Sequence, residues 1–323
     1  MADLDPQAAA LLETVEAMGE PPTQALSVES ARGRLGELFA DASREDVDRV
    51  EEFSIEGPAG AIPVRLYAPA GEGHPLLVYL HGGGWTVGDL ETHDPVCRAL
   101  SNAADCAVLS VDYRLAPEQP FPAAIEDAYA AVRWAGEYGD RINCDPDRLA
   151  VGGDSAGGNL SAAVTLLASD RGGPELRHQV LLYPAVAAPG IHAFESHEEN
   201  AEGYLLERAS IRWYVENYLP HPTDRRNEYA APLLARDLSG LPPATVLTAG
   251  FDPLRDEGEA YARRLDEAGV PVEHYGYDGM VHGFVSFLDQ LDAARDAIET
   301  VGSDLQSAFE RPSPDPISNR DGQ

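Results

Sequence analysis

The chain has no lysine. All 23 of its basic residues are arginine, set against 55 aspartates and glutamates, for a formal net charge of −32 over 323 residues. Lysine normally ranks among the commonest residues. A GC-rich coding sequence accounts for its absence but not for the acidic excess. That excess fits a protein working in concentrated salt, where at ~1 M the Debye length shrinks to ~3 Å and carboxylate self-repulsion is quenched. The same charge argues against nucleic acid as a partner, because phosphates call for a basic surface, and against anionic membranes. Long apolar runs are missing too, with no stretch near the ~20 residues of a membrane span. The opening MADLDPQAAALLETVEAMGE lacks the basic start and apolar run of a secretory signal. Cysteine is scarce: Cys97, Cys106 and Cys144 are odd in number and irregularly spaced, which excludes a disulfide framework and a zinc ligand set. Reduced thiols in a cytoplasmic location are expected.

What is present is an ordinary globular composition, 44% hydrophobic and 24% charged, enough for a sizeable core. The first 45 residues read as two helices, about 5–18 and 27–40. Pro6 suits a first helical position and Ser27 stands at the start of the second. Extended segments at 50–55 and 62–67 flank Gly57, Pro58 and Gly60, the pattern of an antiparallel hairpin. From residue 75 an alternation begins. Strands are predicted at 76–80, 107–113, 148–153, 180–184, 244–250 and 271–277, and helices at 93–104, 123–138, 157–169, 254–268 and 282–308. Apolar strand runs alternating with amphipathic helices predict an α/β fold with a mostly parallel sheet covered on both faces. Right-handed crossovers then gather the strands' carboxyl ends, and the chemistry, on one edge. The stretch 185–240 breaks the rhythm and reads as a helical insertion over that edge. The expected organisation is cap helices at 1–45, a core of 46–184 and 241–310, a cap insertion at 185–240 and a disordered tail at 311–323.

Three features fall at strand ends. Gly153-Asp154-Ser155-Ala156-Gly157 lies between a strand and a helix, the context in which G-x-S-x-G raises a serine on a sharp turn at a helix N-terminus. His81-Gly82-Gly83-Gly84-Trp85 follows another strand, and its glycines let main-chain N–H groups turn toward a developing oxyanion. The expected donors are the Gly83, Gly84 and Ala156 amides, with Gly82 able to replace one of them. His81 is expected to place this loop rather than to act as a base. The third feature is Asp252 followed by His282, giving the chain order Ser, Asp, His. A serine needs an imidazole within hydrogen-bond reach to take its proton, and the imidazole needs a carboxylate to fix its tautomer. Asp256 and Asp278 compete with Asp252. Asp256 is expected inside a helix and Asp278 in the turn before His282. His93, His178, His192, His197, His221 and His274 carry no motif and are expected in solvent or packing.

HGGGW (81–85), DYRLAPE (112–118), GDSAGG (153–158), DPLRDEG (252–258) and HGF (282–284) together resemble the hormone-sensitive-lipase-like branch of the α/β-hydrolases, to which many microbial carboxylesterases belong. The resemblance implies the α/β-hydrolase fold, a lid from the N-terminal helices and the 185–240 insertion, and activity on short acyl esters. It implies no metal and no organic cofactor. Asp112, Arg114 and Glu118 of DYRLAPE are expected to form a structural polar network.

The expected mechanism is two-step acyl transfer on a small-molecule ester. Ser155 attacks, His282 moves the proton, Asp252 orients His282, and activity rises with pH as the imidazole loses its proton. Two rivals stand beside it. One is a hydrolase-fold binding protein without turnover; the other is an amidase or lactonase using the same residues.

Overall fold

The computed structural model describes residues 3–187 and 190–311; beyond Arg311, the tail expected at 311–323 lies outside the described residues. Two cap helices come first. α1 (Pro6–Ala17) starts at Asp5, whose side chain accepts the Gln7 amide, and α2 (Val28–Phe39) starts at Ser27, which accepts the Ser30 amide. Both are side-chain N-caps that satisfy an otherwise orphaned helical N–H. Strands β1 (Arg49–Gly57) and β2 (Gly60–Ala68) form the hairpin, antiparallel across a tight turn.

The alternation follows: β3 (His74–Leu80), α3 (Asp94–Ala104), β4 (Ala107–Val111), α4 (Ala123–Tyr138), β5 (Cys144–Asp154), α5 (Ala156–Arg171) and β6 (His178–Leu182). The insertion contributes α6 (Ser196–Glu199) and α7 (Arg208–Tyr218). The chain then returns through β7 (Ala244–Phe251), α8 (Arg255–Glu267), β8 (Val272–Val281) and α9 (Asp292–Glu310). The eight strands form one sheet in the order β1-β2-β4-β3-β5-β6-β7-β8, antiparallel at β1–β2 and β2–β4 and parallel elsewhere.

Each inner strand is apolar on both sides because both sides are covered. In β3, Leu76, Val78 and Leu80 pack toward α4 and α5, while Leu77 and Tyr79 pack toward α3 and α9. The period of two along a strand sends alternate side chains to opposite faces. The chain winds outward from β3 to β4 and then reverses to β5, so β3 and β5 flank the switch point where such sheets bind ligands.

Among the expected boundaries that differ, two bear on the site. The predicted helix 282–308 begins only at Asp292. Residues after β8 first make a turn, with Gly283 at φ 78° and a short 3₁₀ segment Phe284–Ser286. The apolar positions 284, 285, 287, 288 and 291 have helical spacing, but they are buried in that turn instead. The predicted strand 271–277 runs on to Val281, which pairs with Phe251 after a register shift. Asp278 therefore lies in β8 rather than in a turn. Among the described residues no helix is long and apolar enough to cross a membrane.

Candidate active site

Ser155 sits between β5 and α5 with φ 55° and ψ −113°, a conformation L-residues seldom hold. The turn is tight because the backbones touch: a Cβ on Gly157 would lie 1.8 Å from the Leu80 carbonyl oxygen. The Ser155 amide donates to the Leu182 carbonyl at 2.8 Å, tying the turn to β6. Its Oγ is thereby held at the carboxyl edge of the sheet.

The structure brings Ser155, His282 and Asp252 together from the ends of β5, β8 and β7. Ser155 Oγ is 2.9 Å from His282 Nε2, and His282 Nδ1 is 2.7 Å from Asp252 Oδ2. Asp252 is fully buried. Its other oxygen accepts the Leu254 amide at 2.8 Å. Tyr183 meets the His282 ring edge-on, 4.9 Å between centroids. Asp256 is turned elsewhere: its carboxylate accepts the Ser196 amide at 2.8 Å and Arg255 Nε at 2.8 Å.

The glycine loop divides its amides. Gly82 N–H is directed at Asp154 Oδ1 at 2.9 Å, which removes it from the expected oxyanion donors. Gly83, Gly84 and Ala156 line the cavity beside Ser155, and their amides make no hydrogen bond with other described residues. Gly84 has φ 56°, and a Cβ there would lie 2.2 Å from the Tyr214 ring; α7 thus lies directly on the loop. One turn further along α7, Tyr218 stacks on Trp85 at 4.5 Å and 7°. His81 is buried, stacks on Tyr113 at 4.2 Å and binds the Gly82 carbonyl through Nδ1 at 2.8 Å. Burial draws its pKa down to about 4.

Several supporting residues have no role that the sequence reading assigns. Asp154, next to the serine, also accepts the Tyr79 hydroxyl at 2.8 Å and lies 3.3 Å from His93 Nε2. Burial opposes its ionisation, but His93 and the hydrogen bonds from His93 and Tyr79 hold its pKa below the usual carboxylate range. Asn200, after α6, donates to the carbonyls of Gly250 and Asp252 at 3.2 and 3.1 Å. Ser196 Oγ donates to the Pro253 carbonyl at 2.7 Å. His93, expected in solvent or packing, is a buried member of the loop's hydrogen-bond network. The DYRLAPE polar groups form two separate pairs, Arg114 with Asp127 at 2.7 Å and Glu118 with Arg32 of α2 at 2.8 Å, and Asp112 joins neither.

The cavity over Ser155 has a volume of about 1430 Å³ and is walled by both cap pieces, with Leu35 and Phe39 of α2 and Ile211 and Tyr214 of α7 on its surface. The two pieces meet where Ser210 Oγ donates to Gln24 Oε1 at 3.0 Å. Chemically, this arrangement can deprotonate a hydroxyl as it attacks a carbonyl and can receive the oxyanion on main-chain donors.

A family model described as alpha/beta hydrolase fold matches residues 77–286. The chain is 51% identical over 244 residues to the carboxylic ester hydrolase LipN of Mycobacterium tuberculosis, covering 73% of this chain and 64% of that protein. It is 45% identical over 302 residues to the carboxylesterase NlhH of the same organism, covering 91% and 93% of the two. An ester-hydrolase from the metagenome of Lake Arreo, solved in complex with a derivative of bipyridine phosphonate, superposes with a TM-score of 0.91 at 41% identity, covering 95% of this chain and 100% of that one.

Proposed function

The chain belongs to the alpha/beta hydrolase fold family, and from that membership we propose that it is a serine carboxylesterase acting on short-chain esters through an acyl-enzyme, in concentrated salt and in a cytoplasm. Ser155 is the nucleophile. As its Oγ attacks the ester carbonyl, His282 takes the hydroxyl proton and Asp252 stabilises the resulting imidazolium. The oxyanion rests on the amides of Gly83, Gly84 and Ala156. His282 then protonates the leaving alcohol, and water repeats the cycle on the acyl-enzyme.

One observation carries this reading: Ser155 Oγ lies 2.9 Å from His282 Nε2 beside unengaged main-chain donors. The named carboxylesterase relatives support it. The salt adaptation is supported by the charge of −32 without a single lysine. In Ser155→Ala, turnover of a short p-nitrophenyl ester should be almost abolished in a protein that keeps its circular dichroism. Asp252→Asn should lose up to ~10⁴. Full turnover by a folded Ser155→Ala protein would refute the assignment. Stoichiometric labelling of the unmodified chain by an organophosphonate at Ser155, followed by ester turnover, separates an enzyme from a binding protein.

A further inference from the structure

Arg32 of α2 reaches the glycine loop from behind. Its Nε donates to the Thr86 carbonyl at 2.9 Å and its Nη2 to the Ala116 carbonyl at 3.1 Å, while Nη1 and Nη2 each take one oxygen of Glu118 at 2.8 Å. The guanidinium thus spans two main-chain carbonyls as well as a carboxylate. Among the described residues of α2, Ala31 and Leu35 line the catalytic cavity and Arg32 does not. Ala116 passes the hold inward, its amide donating to the Trp85 carbonyl at 2.8 Å.

The loop needs holding. Gly83, Gly84 and Trp85 follow one another at φ 113°, 56° and 56°. Glycine adopts such angles freely. For a bulky residue such as Trp85 they persist only where surrounding contacts fix them.

Thr86 carries the hold to the oxyanion side. A trans peptide is planar, with its carbonyl and its N–H pointing opposite ways. The Thr86 carbonyl that accepts from Arg32 shares its peptide with the Val87 N–H. That N–H donates to the Gly83 carbonyl at 2.9 Å, and the Gly83 carbonyl shares its peptide with the Gly84 N–H. The Thr86 amide adds a second bond to the Gly83 carbonyl at 3.1 Å, and Thr86 Oγ1 donates to the Gly84 carbonyl at 3.0 Å. Two peptide planes therefore link the guanidinium to an expected oxyanion donor, and fixing the first sets the second.

We propose that Arg32 is a positioning residue for the oxyanion hole: through Thr86 and Ala116 it aims the Gly84 amide at the developing charge, so that α2 serves the chemical step as well as walling the cavity. This role presupposes the esterase reading and adds to it. The ground-state ester carbonyl depends little on that aim, whereas the tetrahedral intermediate depends on it strongly.

Arg32→Met keeps the aliphatic stem and removes the fork. On a short p-nitrophenyl ester, with the full chain in high salt, it should lower kcat by ~10², the scale of a misplaced reacting group, with KM nearly unchanged. An alkyl trifluoromethyl ketone supplies a second constant. Ser155 Oγ adds to its carbonyl carbon, the hydroxyl proton passes to His282, and the π pair of the carbonyl becomes an oxyanion in the hole. Its inhibition constant should rise by the factor by which kcat/KM falls, because both report the oxyanion. Arg32→Lys, whose ammonium lacks the fork but still donates, should recover part of both losses. A full kcat in Arg32→Met overturns the proposal. So does a raised KM at full kcat, which would make Arg32 a strut of the cap alone, and so does a fallen kcat with ketone inhibition unchanged. If circular dichroism shows Arg32→Met unfolded, the same constants measured on Arg32→Lys decide by the same criteria. Absence of ester turnover and of organophosphonate labelling in the unmodified protein would instead overturn the esterase reading, and this role with it.

Discussion

Asp154 is buried beside the nucleophile, where its carboxylate receives the Gly82 amide and the Tyr79 hydroxyl. Removing it leaves two buried donors without an acceptor and frees the loop that carries the Gly83 and Gly84 amides. Asp154→Ala should therefore lower kcat by ~10²–10³, the scale on which oxyanion donors act. Asp154→Asn keeps an acceptor and should lose only about tenfold, with KM nearly constant in both. Steady-state kinetics on a short p-nitrophenyl ester decide this; a full kcat in Asp154→Ala would mean the loop holds itself. At this scale the trio that converges was legible in the sequence, because serine, aspartate and histidine at strand ends have few other uses in that order. The engagement of Gly82 was not legible, since the direction of a peptide N–H leaves no trace in residue type. Nor were His93 and Asn200: the atoms they bind, on Asp154 and on Gly250 and Asp252, lie far along the chain.

The alternation of apolar strands and amphipathic helices was readable because each inner strand is covered on both faces, so its composition reports its place. The stretch 282–291 misled because apolar residues spaced for a helix face serve equally well in a buried turn. Gly283, at φ 78°, is the local reason the helix does not start there. Among the elements, α6 and its flanks have a role beyond walling the cavity. Ser196, Asn200 and the Arg255–Glu199 pair at 2.9 Å fasten this short segment to the loop from Gly250 to Glu257 that carries Asp252. An unmet buried carbonyl costs roughly 1–3 kcal/mol. Asn200→Ala should consequently lower the denaturation temperature by a few degrees and reduce kcat about tenfold. An unaffected kcat at the lower melting temperature would show that the Asp252 loop stands without the cap.

For the molecule as a whole, charge and buried histidines set the working conditions. With a net charge of −32, self-repulsion opposes compaction unless salt screens it. Dialysis from ~2 M to ~0.1 M salt should lower the unfolding temperature; equal stability in both would remove the case for salt adaptation. Acid acts through His81 and His178. Burial draws their pKa values down to about 4 and about 3 in the folded chain, against ~6.5 when unfolded. Below pH ~6.5 the unfolded chain takes up protons that the native one refuses, so stability is full above that pH and falls on acidification toward pH 4. Each histidine contributes a slope of about 1.4 kcal/mol per pH unit. Denaturant midpoints at pH 7 and pH 5 should differ accordingly, and His178→Gln should remove about half of this histidine slope. The fastening of the insertion to the acid loop has a last consequence for anyone recombining such proteins. A foreign segment between β6 and β7 would arrive without the clasps that steady Asp252, and a foreign first segment would arrive without Arg32, whose Nε donates to the Thr86 carbonyl next to the glycine loop at 2.9 Å.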